Sequence, residues 1–207
     1  MTKVVLLDYG CGNIGSVAQA FDYLGYAPSI VGAANDPALA GATHLVLPGV
    51  GAFEKAATGL RDRHLNESIQ QHIDKGRPFM GICVGMQVLM DTGYEFGLHR
   101  GLGLFPGSVR HIKDVDPRAA CPHIGWNRVE FSPRSLFTEL NSDDLFFYFN
   151  HSYVCCPDDL SCISAYAPDT PSRWPVAMEK DGIFALQCHP EKSHVAGLSL
   201  LDKFLRV

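Results

Sequence analysis

A cysteine in a glycine-flanked turn is the first feature of the sequence that could do chemistry. Cys83 lies in Gly81-Ile-Cys83-Val-Gly85, which follows an apolar run and precedes a helical pattern. In the analogous serine pattern, a sharp strand-to-helix turn lifts the nucleophile above the edge of a sheet. The helix N-terminus would favour the thiolate, and the Val84 N–H would be free to donate to an oxyanion. The alternative is a buried cysteine in a glycine-rich turn, because patterns this short occur by chance.

His189 and Glu191 could supply the base that such a thiol needs. Pro190 lies between them and biases His189 toward extended geometry. Residues two apart in an extended chain project to the same side, so we expect the carboxylate to hold the imidazole in one tautomer. With Cys83, the pair would complete a triad of thiol, base and orienting acid. His151 is the best competing base, and a metal site is a weaker alternative because it lacks a clear third ligand.

A second glycine-rich turn could complete an oxyanion site. Pro48-Gly49-Val50-Gly51 follows another apolar run. Sites in open α/β sheets form beyond the carboxyl ends of the strands, so this loop and the cysteine turn should face one crevice. We therefore expect Val50 or Gly51 to offer a second backbone donor. A plain tight turn is the alternative.

The first half of the chain must position these residues, and its pattern predicts alternating strands and helices. Strands are expected at residues 4–7, 29–31, 44–47 and 78–82. Helices are expected at residues 14–24, 53–60 and 65–73, with another that includes Met86, Leu89 and Met90. This alternation is typical of parallel strands joined by crossover helices.

The second half predicts strands separated by Pro, Asp and Gly, at residues 101–112, 128–131, 145–154, 161–166 and 183–187. A helix is expected again at residues 196–204. We therefore predict an α/β fold with an open, mostly parallel central sheet flanked by helices and additional antiparallel strands in the second half. One domain should span residues 1–207.

Composition excludes several classes of protein. The net charge of -5 and the lack of a basic run argue against a nucleic-acid partner. No apolar stretch is long enough to cross a bilayer, and an acidic residue occurs too early for a signal peptide. Seven cysteines, an odd number without a Cys-x-x-Cys pair, fit neither a disulfide scaffold nor a structural zinc site. We expect a cytoplasmic protein without a metal.

Three segments together resemble the class-I, or triad, glutamine amidotransferases. They are Pro48-Gly-Val-Gly-Ala-Phe53, Gly81-Ile-Cys-Val-Gly-Met-Gln87 and Gln187-Cys-His-Pro-Glu-Lys-Ser193. Four more resemble the branch of this family that serves histidine biosynthesis: Asp8-Tyr-Gly-Cys-Gly-Asn13, Gly101-Leu-Gly-Leu-Phe-Pro-Gly107, Pro122-His-Ile-Gly-Trp-Asn127 and Tyr148-Phe-Asn-His-Ser-Tyr153. Val84, Asn150 and Cys188 depart from the usual pattern, but none removes a catalytic group. Cys188 should point away from the site, since adjacent strand residues face opposite sides.

The resemblance implies a glutaminase that needs no cofactor. Cys83 would attack the side-chain amide of L-glutamine, His189 would manage the protons, and water would then cleave the glutamyl thioester. By the same resemblance, the bound glutamine would contact four residues: Gly51, Gln87, Ser152 and Tyr153.

The resemblance also implies a partner. Ammonia would pass to a (β/α)8-barrel cyclase subunit, in a heterodimer, that forms imidazole glycerol phosphate. Asn13, Trp126 and Lys192 would lie near the interface.

Three other functions stay open. The chain could be the glutaminase subunit of a different amidotransferase, such as a paralogue serving sugar amidation. It could be a cysteine peptidase-like hydrolase on the same fold, which would cleave peptides and ignore free glutamine. It could also be a binding module that has lost activity, although the complete triad argues against this.

Overall fold

The computed structural model describes residues 2–10, 12–140, 145–170 and 172–207, so Cys11 in the predicted glycine turn lies outside the described residues. Within these ranges the strands are β1 Val4–Leu7, β2 Ser29–Val31, β3 His44–Gly49, β4 Phe79–Cys83, β5 Met90–Gly93, β6 His99–Arg100, β7 Phe105–His111, β8 His123–Arg128, β9 Glu130–Phe131, β10 Phe146–His151, β11 Tyr153–Pro157, β12 Ile163–Tyr166, β13 Pro175–Lys180 and β14 Ile183–Leu186. The helices are α1 Ile14–Tyr23, α2 Pro37–Gly41, α3 Phe53–Asp62, α4 Leu65–Asp74, α5 Val84–Gln87, α6 Ile112–Val115 and α7 His194–Phe204, with short 3-10 turns at Leu160–Cys162 and Pro190–Lys192.

Eight of these strands form the central sheet, in the order β2-β1-β3-β4-β14-β13-β12-β9. The first five pair in parallel, and the last three continue the sheet antiparallel. The parallel strands β1, β3, β4 and β14 are buried along their whole length, as expected for strands covered on both faces. The predicted α/β fold class is confirmed.

Two smaller sheets are separate from this central sheet. Strands β10 and β8 form an antiparallel ribbon, and β11, β7, β5 and β6 form a four-stranded sheet. Among the described residues, no helix combines the length and apolar character needed to span a membrane.

The helix expected after Cys83 is much shorter than predicted. Helix α5 ends at Gln87, and Met90 begins strand β5 instead of lying in the helix. The backbone amides of Leu102 and Leu104 bond the carbonyls of Val88 and Leu89, so a distant loop takes up groups that a longer helix would use. The residues of this apolar run are buried on every side, and periodicity cannot separate a helix from a strand in such a run.

Several predicted strands in the second half were wrong in extent. The expected strand at 101–112 starts only at Phe105, because residues 101–104 form the loop just described. The expected strand at 145–154 is two strands that belong to different sheets, separated at Ser152. The strand expected at 128–131 is likewise the end of β8 followed by the short β9. Helix α2 and strand β13 were not predicted.

Candidate active site

The turn that carries Cys83 is a tight strand-to-helix junction. Cys83 ends β4 with a φ of 55°, a left-handed value that residues with a side chain rarely adopt. The flanking glycines permit the turn because a Cβ on Gly81 would lie 2.6 Å from the Gly85 oxygen. A Cβ on Gly85 would overlap the carbonyl oxygen of Leu47. The turn that carries Cys83 therefore packs directly on the neighbouring strand β3, and only glycine fits at positions 81 and 85.

The loop predicted to supply an oxyanion donor, residues 48–51, lies beside the turn that carries Cys83. Strands β3 and β4 pair in a register that sets Gly49 opposite Cys83, so the loop after Gly49 leaves the sheet at the level of the thiol. Gly51 has a φ of +103°, which suits glycine. A cavity of about 330 Å³ opens here, and Val50, Gly51 and Val84 all line it together with Cys83. The three predicted oxyanion donors therefore face one space.

His189 connects the thiol to Glu191. Its imidazole lines the same cavity as the Cys83 thiol, which raises the pKa of the imidazole, and its Nδ1 lies 2.8 Å from Glu191 Oε1. The geometric reason given for this contact was wrong, since Pro190–Lys192 is a 3-10 turn and the chain is extended only at His189. The backbone of His189 is fixed by its N–H, which donates to the Tyr148 carbonyl at 2.9 Å.

The surroundings of His189 favour the imidazolium. Burial by itself would lower the pKa of His189, but the hydrogen bonds and negative charges of Cys83 and Glu191 outweigh burial and raise that pKa to about 10. At neutral pH the imidazole therefore holds a proton that it can pass to a leaving group. The Glu191 side chain is 1% exposed, so water hardly weakens its attraction.

His151, the competing base, has both ring nitrogens occupied. Its Nδ1 lies 2.8 Å from the Tyr153 carbonyl oxygen, and its Nε2 lies 2.8 Å from His123 Nδ1. Burial, reinforced by His123, lowers the pKa of His151 to about 3. His151 lines the cavity as a neutral ring held in one tautomer, which leaves His189 as the base.

All four residues expected to contact glutamine line the cavity: Gly51, Gln87, Ser152 and Tyr153. Gln87 is already partly engaged, because its Nε2 donates to the Tyr153 carbonyl and to Gln187 Oε1, each at 3.1 Å. Its oxygen is the end left to accept a hydrogen bond from a ligand.

Two further residues at the site were missed from the sequence. Glu95 lines the cavity, and its Oε2 accepts the N–H of Phe53 at 2.7 Å. Gln187 is fully buried behind the thiol, and its Nε2 donates to Cys83 Sγ at 3.7 Å. Gln187 stands two residues before His189, a closeness that could have drawn attention to it. Glu95 lies 12 residues after Cys83, in the connection between β5 and β6, and no local sequence pattern marks it as a site residue.

Two of the residues expected at a partner interface, Trp126 and Lys192, lie near the same ring, that of Tyr148. Trp126 is 43% exposed and stacks on His194 with ring centroids 4.9 Å apart. Lys192 is exposed, lines the cavity mouth and places Nζ 5.7 Å from the centroid of the Tyr148 ring. Helix α1, which begins after Asn13, packs against the 3-10 turn that contains Lys192. The side chain of Asn13 does not cap that helix; its Oδ1 accepts a hydrogen bond from the Ser16 hydroxyl at 2.8 Å.

Cys188 is separated from the chemistry. It is buried and is not among the residues that line the cavity. Burial, with the nearby Glu191 adding to it, raises the pKa of the Cys188 thiol. A protonated thiol away from the cavity is unreactive toward a ligand bound there, so Cys83, which lines the cavity, is the candidate nucleophile.

Comparisons with known proteins show what the chain is similar to. The sequence model of the family described as "Glutamine amidotransferase class-I" matches residues 5–207. "Imidazole glycerol phosphate synthase subunit HisH" of Chlorobium luteolum is 44% identical over 202 residues, which cover 97% of this chain and 98% of that protein. The protein of the same name from Aquifex aeolicus is 41% identical and covers 99% of this chain and 96% of its own length. The solved structure of PurLQS from Thermotoga maritima has a TM-score of 0.78 at 17% identity, over 99% of this chain and 98% of that one, a likeness of fold alone.

Proposed function

The chain belongs to the class-I glutamine amidotransferase family, and on that premise we propose that it is the glutaminase subunit of an imidazole glycerol phosphate synthase, in histidine biosynthesis. The observation that carries the proposal is that Cys83 and His189 line one cavity while Glu191 holds the other side of the imidazole at 2.8 Å. A cysteine with such a base and orienting acid performs acyl transfer through a thioester.

The first half of the reaction forms the thioester and releases ammonia. The Cys83 thiolate adds to the side-chain amide carbon of L-glutamine, and a C–S bond forms while the carbonyl oxygen becomes an oxyanion. The backbone N–H groups of Val84 and of Val50 or Gly51 stabilise that charge. His189 gives its proton to the amide nitrogen, the C–N bond breaks, and ammonia leaves.

The second half regenerates the enzyme. Neutral His189 takes a proton from water, and the resulting hydroxide attacks the thioester carbon. The C–S bond then breaks, glutamate leaves, and the imidazolium and thiolate are restored. Glu191 keeps the imidazole oriented throughout and stabilises its charged form.

The cavity has charges that suit a free α-amino acid. We assign the Glu95 carboxylate to the α-ammonium group and the oxygen of Gln87 to a donor of the substrate. Lys192 at the mouth supplies a positive charge of the sign that an α-carboxylate requires. Ser152 and Tyr153 complete the opposite wall. A peptide lacks this pair of opposite charges beside the reacting side chain, which argues against a peptidase.

The ammonia is consumed by a second protein. We propose a (β/α)8-barrel cyclase subunit as the partner in a cytoplasmic heterodimer, because both named relatives are subunits of imidazole glycerol phosphate synthase. The partner would seat on the face formed by Trp126, Lys192 and the start of helix α1. Residues 1–207 would act as one glutamine amidotransferase domain.

The nucleophile is tested by substitution with a matched control. Cys83→Ala should abolish glutamate release from glutamine while leaving circular dichroism and the unfolding transition unchanged. Cys162→Ala, a change of the same kind at a thiol that bonds the Asp159 carbonyl outside the cavity, should keep the wild-type rate. A glutamine-analogue electrophile should label Cys83 and spare Cys188. Wild-type glutaminase activity in Cys83→Ala would contradict the assignment of the nucleophile.

The partner is tested separately from the chemistry. Addition of a candidate cyclase subunit and its own ligand should raise the rate of glutamate release. A chain that hydrolyses glutamine but shows no stimulation and no co-purification with the cyclase would contradict the histidine-pathway assignment. That outcome would instead favour the glutaminase subunit of a different amidotransferase.

A further inference from the structure

A buried chain of amide groups ends at the Cys83 thiol. We propose that Gln187 is a positioning residue that holds an N–H donor against the Cys83 sulfur, and that the Tyr153 carbonyl sets the direction of this donor through Gln87. The inference rests on the proposed function only in taking Cys83 as the nucleophile.

Three hydrogen bonds form the chain. Gln87 Nε2 donates to the Tyr153 carbonyl and to Gln187 Oε1, each at 3.1 Å. Gln187 Nε2 then donates to Cys83 Sγ at 3.7 Å. Gln187 is 0% exposed and its backbone N–H bonds the Val176 carbonyl at 2.9 Å, so the side chain starts from a fixed point. Water does not reach the Gln187 side chain.

The direction of the chain follows from hydrogen-bonding chemistry. A glutamine amide has a donor end and an acceptor end of nearly equal shape, so its orientation must be read from its partners. The Tyr153 carbonyl can only accept, which requires the NH₂ of Gln87 to face it. The same NH₂ group then faces Gln187 and requires its oxygen there. The NH₂ of Gln187 is left pointing at the sulfur.

The opposite direction of this series of hydrogen bonds would leave buried amide groups without a partner. Turning only Gln187 would set its NH₂ against that of Gln87, donor against donor. Turning both would set the oxygen of Gln87 against the Tyr153 carbonyl, acceptor against acceptor. Buried polar groups without a partner are costly, so the observed direction is the one that satisfies every amide.

A donor at the sulfur favours the thiolate, because a hydrogen bond to the charged form stabilises that form. Gln187 does so without a charge of its own, unlike His189. Among the described residues, the titratable or charged groups near the thiol or lining its cavity are His189, His151, Glu95, Lys192 and Tyr153, with Glu191 behind His189 and the buried thiols of Cys155 and Cys188 close to Cys83. A change confined to Gln187 leaves all of them in place.

The test measures alkylation of Cys83 by iodoacetamide across pH, with the Cys83 peptide quantified by mass spectrometry. Gln187→Met removes the donor while keeping a similar volume. We expect the midpoint pH of alkylation to rise by about one unit, which makes the reaction about tenfold slower at pH below both midpoints. Gln70→Met, the same substitution on an exposed helix where Nε2 bonds Asp74, should leave the midpoint unchanged.

Further variants test the direction of the chain. Gln87→Met should raise the midpoint by less than Gln187→Met, because the amide of Gln187 remains but loses its orienting donor. The double variant should match Gln187→Met alone, since Gln87 acts on the sulfur only through Gln187. Should Gln187→Met fail to fold, a rise in Gln87→Met supports the proposal and an unchanged midpoint overturns it.

Two results would overturn the inference directly. One is a folded Gln187→Met protein whose midpoint matches the wild type, and the other is an equal shift in Gln70→Met. Alkylation needs no glutamine, so a wild-type chain that released no glutamate would count against the proposed function and not against this role of Gln187.

Discussion

Replacing Glu191 by glutamine keeps an amide oxygen beside His189 but removes the negative charge. The two side chains are 3% and 1% exposed, with Nδ1 and Oε1 2.8 Å apart, so water screens the pair little. At a separation of about 4 Å between charge centres and an effective dielectric constant of about 20, the attraction is about 4 kcal/mol. Since one pH unit corresponds to about 1.4 kcal/mol, loss of this attraction lowers the pKa of His189 by at most about three pH units from its value of about 10, and Cys83, which raises that pKa most, remains in place.

Nitrogen-15 NMR of the imidazole measures this titration directly. The His189 signals are assigned by their absence from a His189→Asn variant. Glu139→Gln is the matched control, because Glu139 pairs with Lys203 at 3.4 Å but is 83% exposed. Its effect on the His189 midpoint should be nil. A Glu191→Gln midpoint within about half a pH unit of the wild type would refute the assignment of Glu191 as the charge that holds the proton.

The same substitution should destabilise the fold in a pH-dependent way. The folded pKa of His189 lies above the ordinary value of 6.5, so its protonated form contributes fully to stability below pH 6.5. That contribution is lost as the pH rises through about 10. Glu191→Gln should therefore lower the free energy of unfolding most near pH 6.5 and least above about pH 10. Equal losses in urea titrations on both sides of the range would contradict the reasoning.

Two further predictions follow from packing and from burial. Gly85→Ala should destabilise the chain by at least about 1–3 kcal/mol, because its Cβ would overlap the Leu47 carbonyl. Gly15→Ala should instead stabilise it by up to about 1 kcal/mol, because the new Cβ meets open space in helix α1. Urea unfolding measures both changes, and equal effects would contradict the packing argument. His151 is neutral in the fold because burial lowers its pKa to about 3, so stability should fall as the pH drops from 6.5 toward 3. His151→Asn should reduce that slope by about 1.4 kcal/mol per pH unit, and an unchanged slope between these limits would show that His151 already carries its proton.

The parallel half of the sheet can be predicted because its information is local. Strands β1, β3 and β4 are apolar runs that end at glycine turns, and burial on both faces requires that pattern. Helix α2 also has a local signal, since Asp36 accepts the N–H of Ala38 as an N-cap and Pro37 occupies the first turn. Its absence from the prediction reflects an unused signal in the sequence.

The second half depends on contacts that no window of sequence contains. The apolar residues after Gln87 suit a helix as well as a strand, and amides from residues 102–104 decide the matter. The break at Ser152 sends β10 and β11 to different sheets, although the sequence there reads as one continuous strand. Strand β13 begins at a proline and is defined by its pairing with β12 and β14, which lie on either side of it. In each case a segment distant in the sequence decides the secondary structure by pairing with it.

The same distinction holds within the active site. Cys83, His189 and Glu191 can be found from the sequence because each stands in a short pattern whose chemistry is legible. The amides of Gln87 and Gln187 are different, because a glutamine carries both a donor and an acceptor and the sequence does not say which end faces the thiol. Only a group of fixed polarity can decide, and here it is the backbone carbonyl of Tyr153. That carbonyl is placed by the pairing of β11 with β7, which sets Tyr153 opposite His111, so the strand register of a small sheet determines whether the nucleophile meets a donor or an acceptor.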